Sequence, residues 1–330
     1  MRSAGYPPQN QNMEQNYNSK EIINSLIGEV EKVVIGKKKE IRLLITAMLA
    51  GGHVLIEDVP GTGKTTLASA LSKACGLEFN RAQFTPDVMA SDITGFNIYN
   101  RSKETFEFRH GLVMANVLLA DEINRASPKT QSALLEAMEE KKVTVDGTTY
   151  PLPDPFMVIA TQNPSGYVGT YPLPEAQLDR FCMKLSMGYP NESEEMNIIM
   201  QRKETNPLLS VNAVATPEII KAMMAEAQAV KVSGEICRYI VQLVAATRQS
   251  KSISLGASPR ATLALMKLAQ AYALIDGRDY VVAEDIAALF AFCISHRIVL
   301  SQDARLNRVS ASDAVAEVFK SIEVPYRTGR

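Results

Sequence analysis

The chain has no tryptophan, 3 histidines and 4 cysteines in 330 residues. Cys75, Cys182, Cys237 and Cys293 are scattered and form no C-x-x-C pair. That excludes a zinc ribbon or a disulfide frame and points to small buried thiols in a reducing compartment. An excess of one charge is missing too: 35 basic against 36 acidic residues leave a net charge of −1. This balance argues against a nucleic-acid partner, which needs a basic face. No apolar run approaches the length needed to cross a bilayer, and the first residues lack the basic-then-apolar order of a signal peptide. A cytoplasmic location is expected.

What is present centres on residues 53–67, HVLIEDVPGTGKTTL. A short apolar run (Val54, Leu55, Ile56) feeds a loop from Asp58 to Gly63. Lys64 and Thr65 then open a stretch with Leu67, Ala70, Leu71 and Ala74 at helical spacing. Strand, glycine loop and helix in this order form a phosphate cradle: backbone N–H groups turn inward and the positive end of the helix faces the phosphates. Pro60, Gly61, Thr62, Gly63, Lys64, Thr65 and Thr66 are the expected binding residues. Lys64 is placed for the β- and γ-phosphates, and the Thr65 hydroxyl for Mg²⁺. The motif's first glycine is replaced by Asp58, which is expected to close the loop because aspartate tolerates left-handed backbone.

Residues 1–18 are rich in Asn, Gln and Pro and are expected to form a disordered tail. From 19 to 188 the pattern is α/β: a parallel sheet sandwiched by helices. Two hairpins interrupt it, one at 96–109 around a polar turn and one at 143–152 around Asp146-Gly147. A helix is expected to start at Thr85-Pro86-Asp87, and Leu77 to Arg81 reads as a weak strand. From 189 to 310 helical periodicity dominates, giving an all-α second domain whose Met-rich faces read as adaptable core. Residues 311–330 read as a C-terminal tail. Lys37, Lys38 and Lys39 read as a solvated face.

Further signals fall in order along the α/β half. Asp121 ends a run buried on both faces (NVLLAD, 116–121), where strand ends face the phosphate site, so it is a candidate Mg²⁺ ligand. Glu122 beside it is a candidate general base for an attacking water. Asn163, at the tip of the next apolar strand, is placed to position that water. Arg180, in YPLPEAQLDRF, is a candidate to stabilise charge on the transferring phosphoryl group. Arg260, in GASPRA, opens a helix of the second domain and faces bound nucleotide across the crevice or caps its own neighbourhood.

The series EDVPGTGKT (57–65), QFTPDVMASDITG (83–95), LLADEINRASPKTQSALLEAMEE (118–140), VTVDGTTYPLP (143–153), ATQNP (160–164), YPLPEAQLDRF (171–181) and GASPRA (256–261) resembles the MoxR family of AAA+ ATPases over roughly residues 20–310. The resemblance implies a P-loop ATPase core followed by a helical lid, and a ring, usually a hexamer, that binds ATP and Mg²⁺ between subunits. It makes Asn163 the sensor of the γ-phosphate, Arg180 the finger offered to the next subunit and Arg260 the second sensor in the lid. Arg125 is a second candidate for the inter-subunit arginine, and Val34, Ile35 and Gly36 flank the adenine. It further implies chaperone-like maturation or activation of a client, beside a protein carrying a von Willebrand factor A domain. The alternatives are a nucleic-acid motor on the same scaffold, disfavoured by the charge balance, and a nucleotide switch that barely hydrolyses, disfavoured by Glu122.

Overall fold

Short runs that are apolar throughout become strands covered on both faces. In the computed structural model, which describes residues 18–59, 61–163, 171–202 and 207–325, two helices come first: α1 (Ser19–Glu31) and α2 (Lys38–Leu49). They bury Ile23, Leu26 and Val30, and Ile41, Leu44 and Met48, the stripes expected from their spacing. Next come β1 (Val54–Glu57), α3 (Lys64–Ala74), β2 (Phe79–Gln83) and the short α4 (Ala90–Thr94). A hairpin, β3 (Gly95–Asn100) and β4 (Thr105–His110), precedes β5 (Val117–Asp121) and α5 (Pro128–Glu140). A second hairpin, β6 (Lys142–Val145) and β7 (Thr148–Pro151), leads to β8 (Met157–Gln162), α6 (Glu175–Leu178) and β9 (Met183–Leu185).

β1, β2, β5, β8 and β9 form one sheet in the order β2-β5-β8-β1-β9, every neighbour parallel. Alternate residues serve opposite faces: Val54, Ile56, Val117, Leu119 and Ile159 join one apolar cluster, Leu55, Leu118, Ala120, Val158 and Ala160 the other. Because all strands run one way, Glu57, Gln83, Asp121 and Gln162 end on the same edge, with Glu57 opposite Gln162 and Gln83 opposite Asp121. The two hairpins touch each other. Phe108 stacks on Tyr150 at 3.9 Å, and Asn97 donates to Asp146 at 2.8 Å.

The second half comprises α7 (Glu192–Arg202), α8 (Pro217–Ala229), α9 (Gly234–Thr247), β10 (Ile253–Leu255), α10 (Pro259–Ile275), α11 (Ala283–Ile294), β11 (Val299–Leu300), α12 (Gln302–Leu306) and α13 (Ala311–Ser321). Its helices share the first apolar cluster with α1, α2 and α3, and His296 and Arg297 bond the Phe181 carbonyl, so the lid is fastened under β9.

Several expectations need correction. The lid is not purely helical, since β10 and β11 pair antiparallel. Part of the expected C-terminal tail is α13, which buries Ala314, Val315 and Val318 against the lid; the i, i+4 spacing was there to read. Thr85-Pro86-Asp87 opens a turn closed by Val88 N–H on Thr85 O at 3.2 Å, and the helix starts only at Ala90. The weak strand runs two residues later than expected. Met196 and Met200 of α7 are exposed, so that Met-bearing face is not core. The expected N-terminal tail, apart from Asn18, lies outside the described residues.

Two histidines are buried within this frame. His53 Nε2–H donates to Met138 O at 3.2 Å while Nδ1 accepts from Val158 N–H at 3.0 Å, which fixes a neutral ring. Burial pushes the pKa of His53 down to about 4 and that of His296 to about 3, from 6.5. The unfolded chain therefore binds protons that the folded chain refuses. Stability is complete above pH 6.5 and is lost as pH falls from there toward the folded values. At pH 5 each histidine costs about 2 kcal/mol. Urea midpoints at pH 7.5 and pH 5 check this, and equal midpoints contradict it.

Candidate nucleotide site

The glycine loop leaves β1 and enters α3 through two residues that need left-handed backbone, Gly61 (φ +88°) and Gly63 (φ +86°). Asp58 is not among the positive-φ residues, so its presence is not explained by left-handed tolerance as expected. Pro60 lies outside the described residues. Lys64 is buried, and its ammonium donates to Asp58 O at 3.0 Å and Val59 O at 3.2 Å. Burial lowers its pKa, and the charges of Asp58, Asp121 and Glu122 oppose that shift. Thr65 and Thr66 follow on the first turn of α3.

Val34 and Ile35 line a cavity with Gly61, Thr62, Gly63 and Thr66, faced by Pro190 and by Ile198 of α7. Gly36 is covered by the Glu194 carboxylate, and its left-handed backbone (φ +73°) is what disfavours a side chain there. The residues expected beside a base thus lie next to those expected around phosphates.

Asp121 and Glu122 diverge at the end of β5 because Glu122 turns into left-handed backbone (φ +56°). Thr161 joins them: its hydroxyl donates to Asp121 Oδ1 at 2.6 Å and accepts from Glu122 N–H at 2.9 Å. Asn163 Nδ2 donates to Glu122 Oε1 at 3.1 Å, and Glu122 Oε2 accepts from Gln83 at 2.9 Å and Arg125 at 3.0 Å. Asp121 Oδ2 accepts from Arg81 at 2.8 Å. Lys64, Asp121, Glu122 and Asn163 are therefore brought together. Arg81, Gln83 and Thr161 are additions that sequence reasoning missed. The available signal was strand alternation, since Arg81 and Gln83 share one face of β2, beside β5.

Arg180 and Arg260 are not part of that group within one chain. Cys182 N–H bonds His53 O, placing Arg180 at the amino edge of the sheet. With about 3.3 Å per strand residue, roughly 15 Å of strand separates that edge from the glycine loop. There Glu139, near the end of α5, takes Arg180 on Oε2 at 2.7 Å and Arg260 on Oε1 at 2.6 Å. Arg180 also donates to Leu135 O at 2.6 Å. Arg125, by contrast, is engaged with Glu122 of its own chain.

Residues 53–183 match the family model described as "ATPase family associated with various cellular activities (AAA)", and residues 245–318 match "AAA lid domain". A Bacillus subtilis protein named YeaC, described as uncharacterized, is 49% identical over 304 residues, covering 92% of this chain and 95% of its own. The Mycobacterium tuberculosis protein named Chaperone MoxR1 is 39% identical over 91% of this chain and 81% of its own. Among solved structures, a putative ATPase from Cytophaga hutchinsonii superposes with a TM-score of 0.87 at 39% identity, covering 93% of this chain and 96% of that one.

Proposed function

The chain belongs to the MoxR family of AAA+ ATPases, and from that premise we propose that it hydrolyses MgATP at sites shared between subunits of a homo-oligomeric, hexameric ring and uses the cycle to remodel, mature or activate a protein partner. The observation that carries this reading is the meeting of Lys64, Asp121, Glu122 and Asn163 at the carboxyl edge of the sheet, beside a cavity lined by Val34, Ile35 and the glycine loop.

The chemistry follows from those positions. Lys64 exchanges the Asp58 and Val59 carbonyls for phosphate oxygens, a bond between two charged partners in place of bonds to neutral acceptors. No group of three or more His, Cys, Asp or Glu side chains among the described residues could hold a metal ion by itself. The Thr65 hydroxyl and the Asp121 carboxylate are hard oxygen donors, few enough to suit Mg²⁺, which shares its shell with phosphate and water. Bound there, the ion supplies charge neutralisation on the phosphate oxygens. Glu122 accepts a proton as water attacks the γ-phosphorus and the bond to ADP breaks; Asn163 orients Glu122 and senses the γ-phosphate. Arg180, at the far edge of its own sheet, and Arg260, joined to it through Glu139 from the start of α10, act on the neighbour's phosphates.

A protein partner is supported by the relative named Chaperone MoxR1 and by the exposed aromatic tip of the first hairpin, where Tyr99 and Phe106 meet edge to face at 5.3 Å. The partner set is completed, on this reading, by a client and a protein carrying a von Willebrand factor A domain, in the cytoplasm and without nucleic acid. No helix among the described residues is long and apolar enough to cross a membrane. Lys64→Ala is expected to weaken ATP binding about 10²-fold. Titration with a fluorescent ATP analogue checks it, and unchanged affinity would remove the glycine loop from the site.

A further inference from the structure

Where phosphate loops of this class carry their first glycine, this chain carries Asp58, and its carboxylate is fully engaged. Oδ2 accepts from Met187 N–H and Gly188 N–H, each at 2.7 Å, and from the Ser186 hydroxyl at 3.5 Å. Oδ1 accepts from Val59 N–H at 2.9 Å. Two adjacent amides on one carboxylate oxygen make a strong, charge-assisted anchor, here buried with Asp58 at 7% exposure. The same residue's carbonyl is the acceptor of the Lys64 ammonium. The lysine that meets phosphate and the anchor of residues 186–188 are thus one residue apart in bonding.

The anchored segment is the connection from β9 to α7. Immediately after it, Tyr189 O accepts from Lys37 at 3.3 Å, Pro190 and Ile198 face the nucleotide cavity, and Glu194 covers Gly36. We propose that Asp58 is a positioning residue: it ties the phosphate loop to residues 186–188 and so holds α7 against the base end of the nucleotide cavity. This rests on the nucleotide reading above. It implies that base recognition depends on Asp58 while phosphate binding does not. Glycine at 58, the residue the general motif uses, keeps the course of the loop and releases the connection.

Affinities of full-length chain for MgATP and for magnesium tripolyphosphate, measured for wild type, Asp58→Gly and Asp58→Asn, test this. Tripolyphosphate affinity is expected to stay within about twofold, while the preference for ATP over tripolyphosphate falls about tenfold in Asp58→Gly. Asp58→Asn, which keeps an uncharged acceptor, is expected to lose less. An unchanged preference, or equal loss of both probes in both variants, overturns the proposal. Amide exchange supplies a nucleotide-free readout: Met187 and Gly188 are protected in wild type and exposed in Asp58→Gly. Equal protection in the two also overturns it. Wild type that binds neither probe fails the nucleotide reading instead, and the exchange result still decides whether Asp58 holds the connection.

Discussion

Glu122→Gln is expected to lower ATP turnover by about 10²–10⁴-fold while ATP stays bound, the range for loss of a positioned general base. The substitution keeps the shape of the side chain and removes its ability to take a proton. Its surroundings explain why so large an effect should come from one oxygen. The left-handed backbone at Glu122 and the bond from Thr161 to its amide fix where the side chain starts, and Asn163, Gln83 and Arg125 fix where it ends. A base held on three sides is aimed, and its proton affinity is the property left to remove. Nucleotide affinity should hold, because Lys64 opens α3 and the loop amides lie between β1 and α3, with no hydrogen bond to Glu122 among the described residues. Steady-state phosphate release together with ATP-analogue binding separates the two quantities. Turnover within a few-fold of wild type would point to another base.

The parts of this centre that were legible in the sequence are those whose chemistry is written locally. The glycine loop was readable because the glycines, the lysine and the helix that follows are consecutive. Asp121 was readable because a run buried on both faces has few reasons to end in a charge, and parallel strands end on the ligand side of the sheet. What escaped depends on register between strands that are remote in sequence. Arg81 and Gln83 reach Asp121 and Glu122 only because β2 lies beside β5 with Gln83 opposite Asp121, and no local pattern specifies that pairing. Glu139 carries no local sign of a role in the sequence, and only the fold shows it between Arg180 and Arg260. Asp58 was misread for the same reason: its sequence neighbours suggested a backbone role, whereas its side chain serves a segment 129 and 130 positions away. Helix α13 was missed differently. Its i, i+4 spacing is legible in the sequence, whereas the lid surface that Ala314, Val315 and Val318 bury against is set only by the fold.

Arg180→Ala is expected to cost about 10³-fold or more in turnover when the chain is assembled, as loss of an arginine finger does. The geometry gives this prediction an unusual feature. Arg180 sits at the amino edge of a sheet whose carboxyl edge holds Lys64 and Glu122, so on the proposed reading it serves the site of a neighbouring subunit and not its own. Two inactive variants should then rescue each other. In a mixed assembly, a site with Glu122 intact from an Arg180→Ala subunit and Arg180 intact from a Glu122→Gln neighbour is complete. Random mixing at equal amounts restores up to about a quarter of the sites. The bonding of the arginines favours Arg180 over Arg125 for this role. Arg125 is tied to Glu122 within its own site, while Glu139 holds Arg180 and Arg260 side by side away from that site, which on the proposed reading offers both guanidinium groups to a neighbour's phosphate. ATPase assays on Arg180→Ala, Glu122→Gln and their co-assembled mixture read the result directly. A mixture as inactive as its parents would place Arg180 outside the shared site, and rescue by Arg125→Ala in place of Arg180→Ala would transfer the role to that residue.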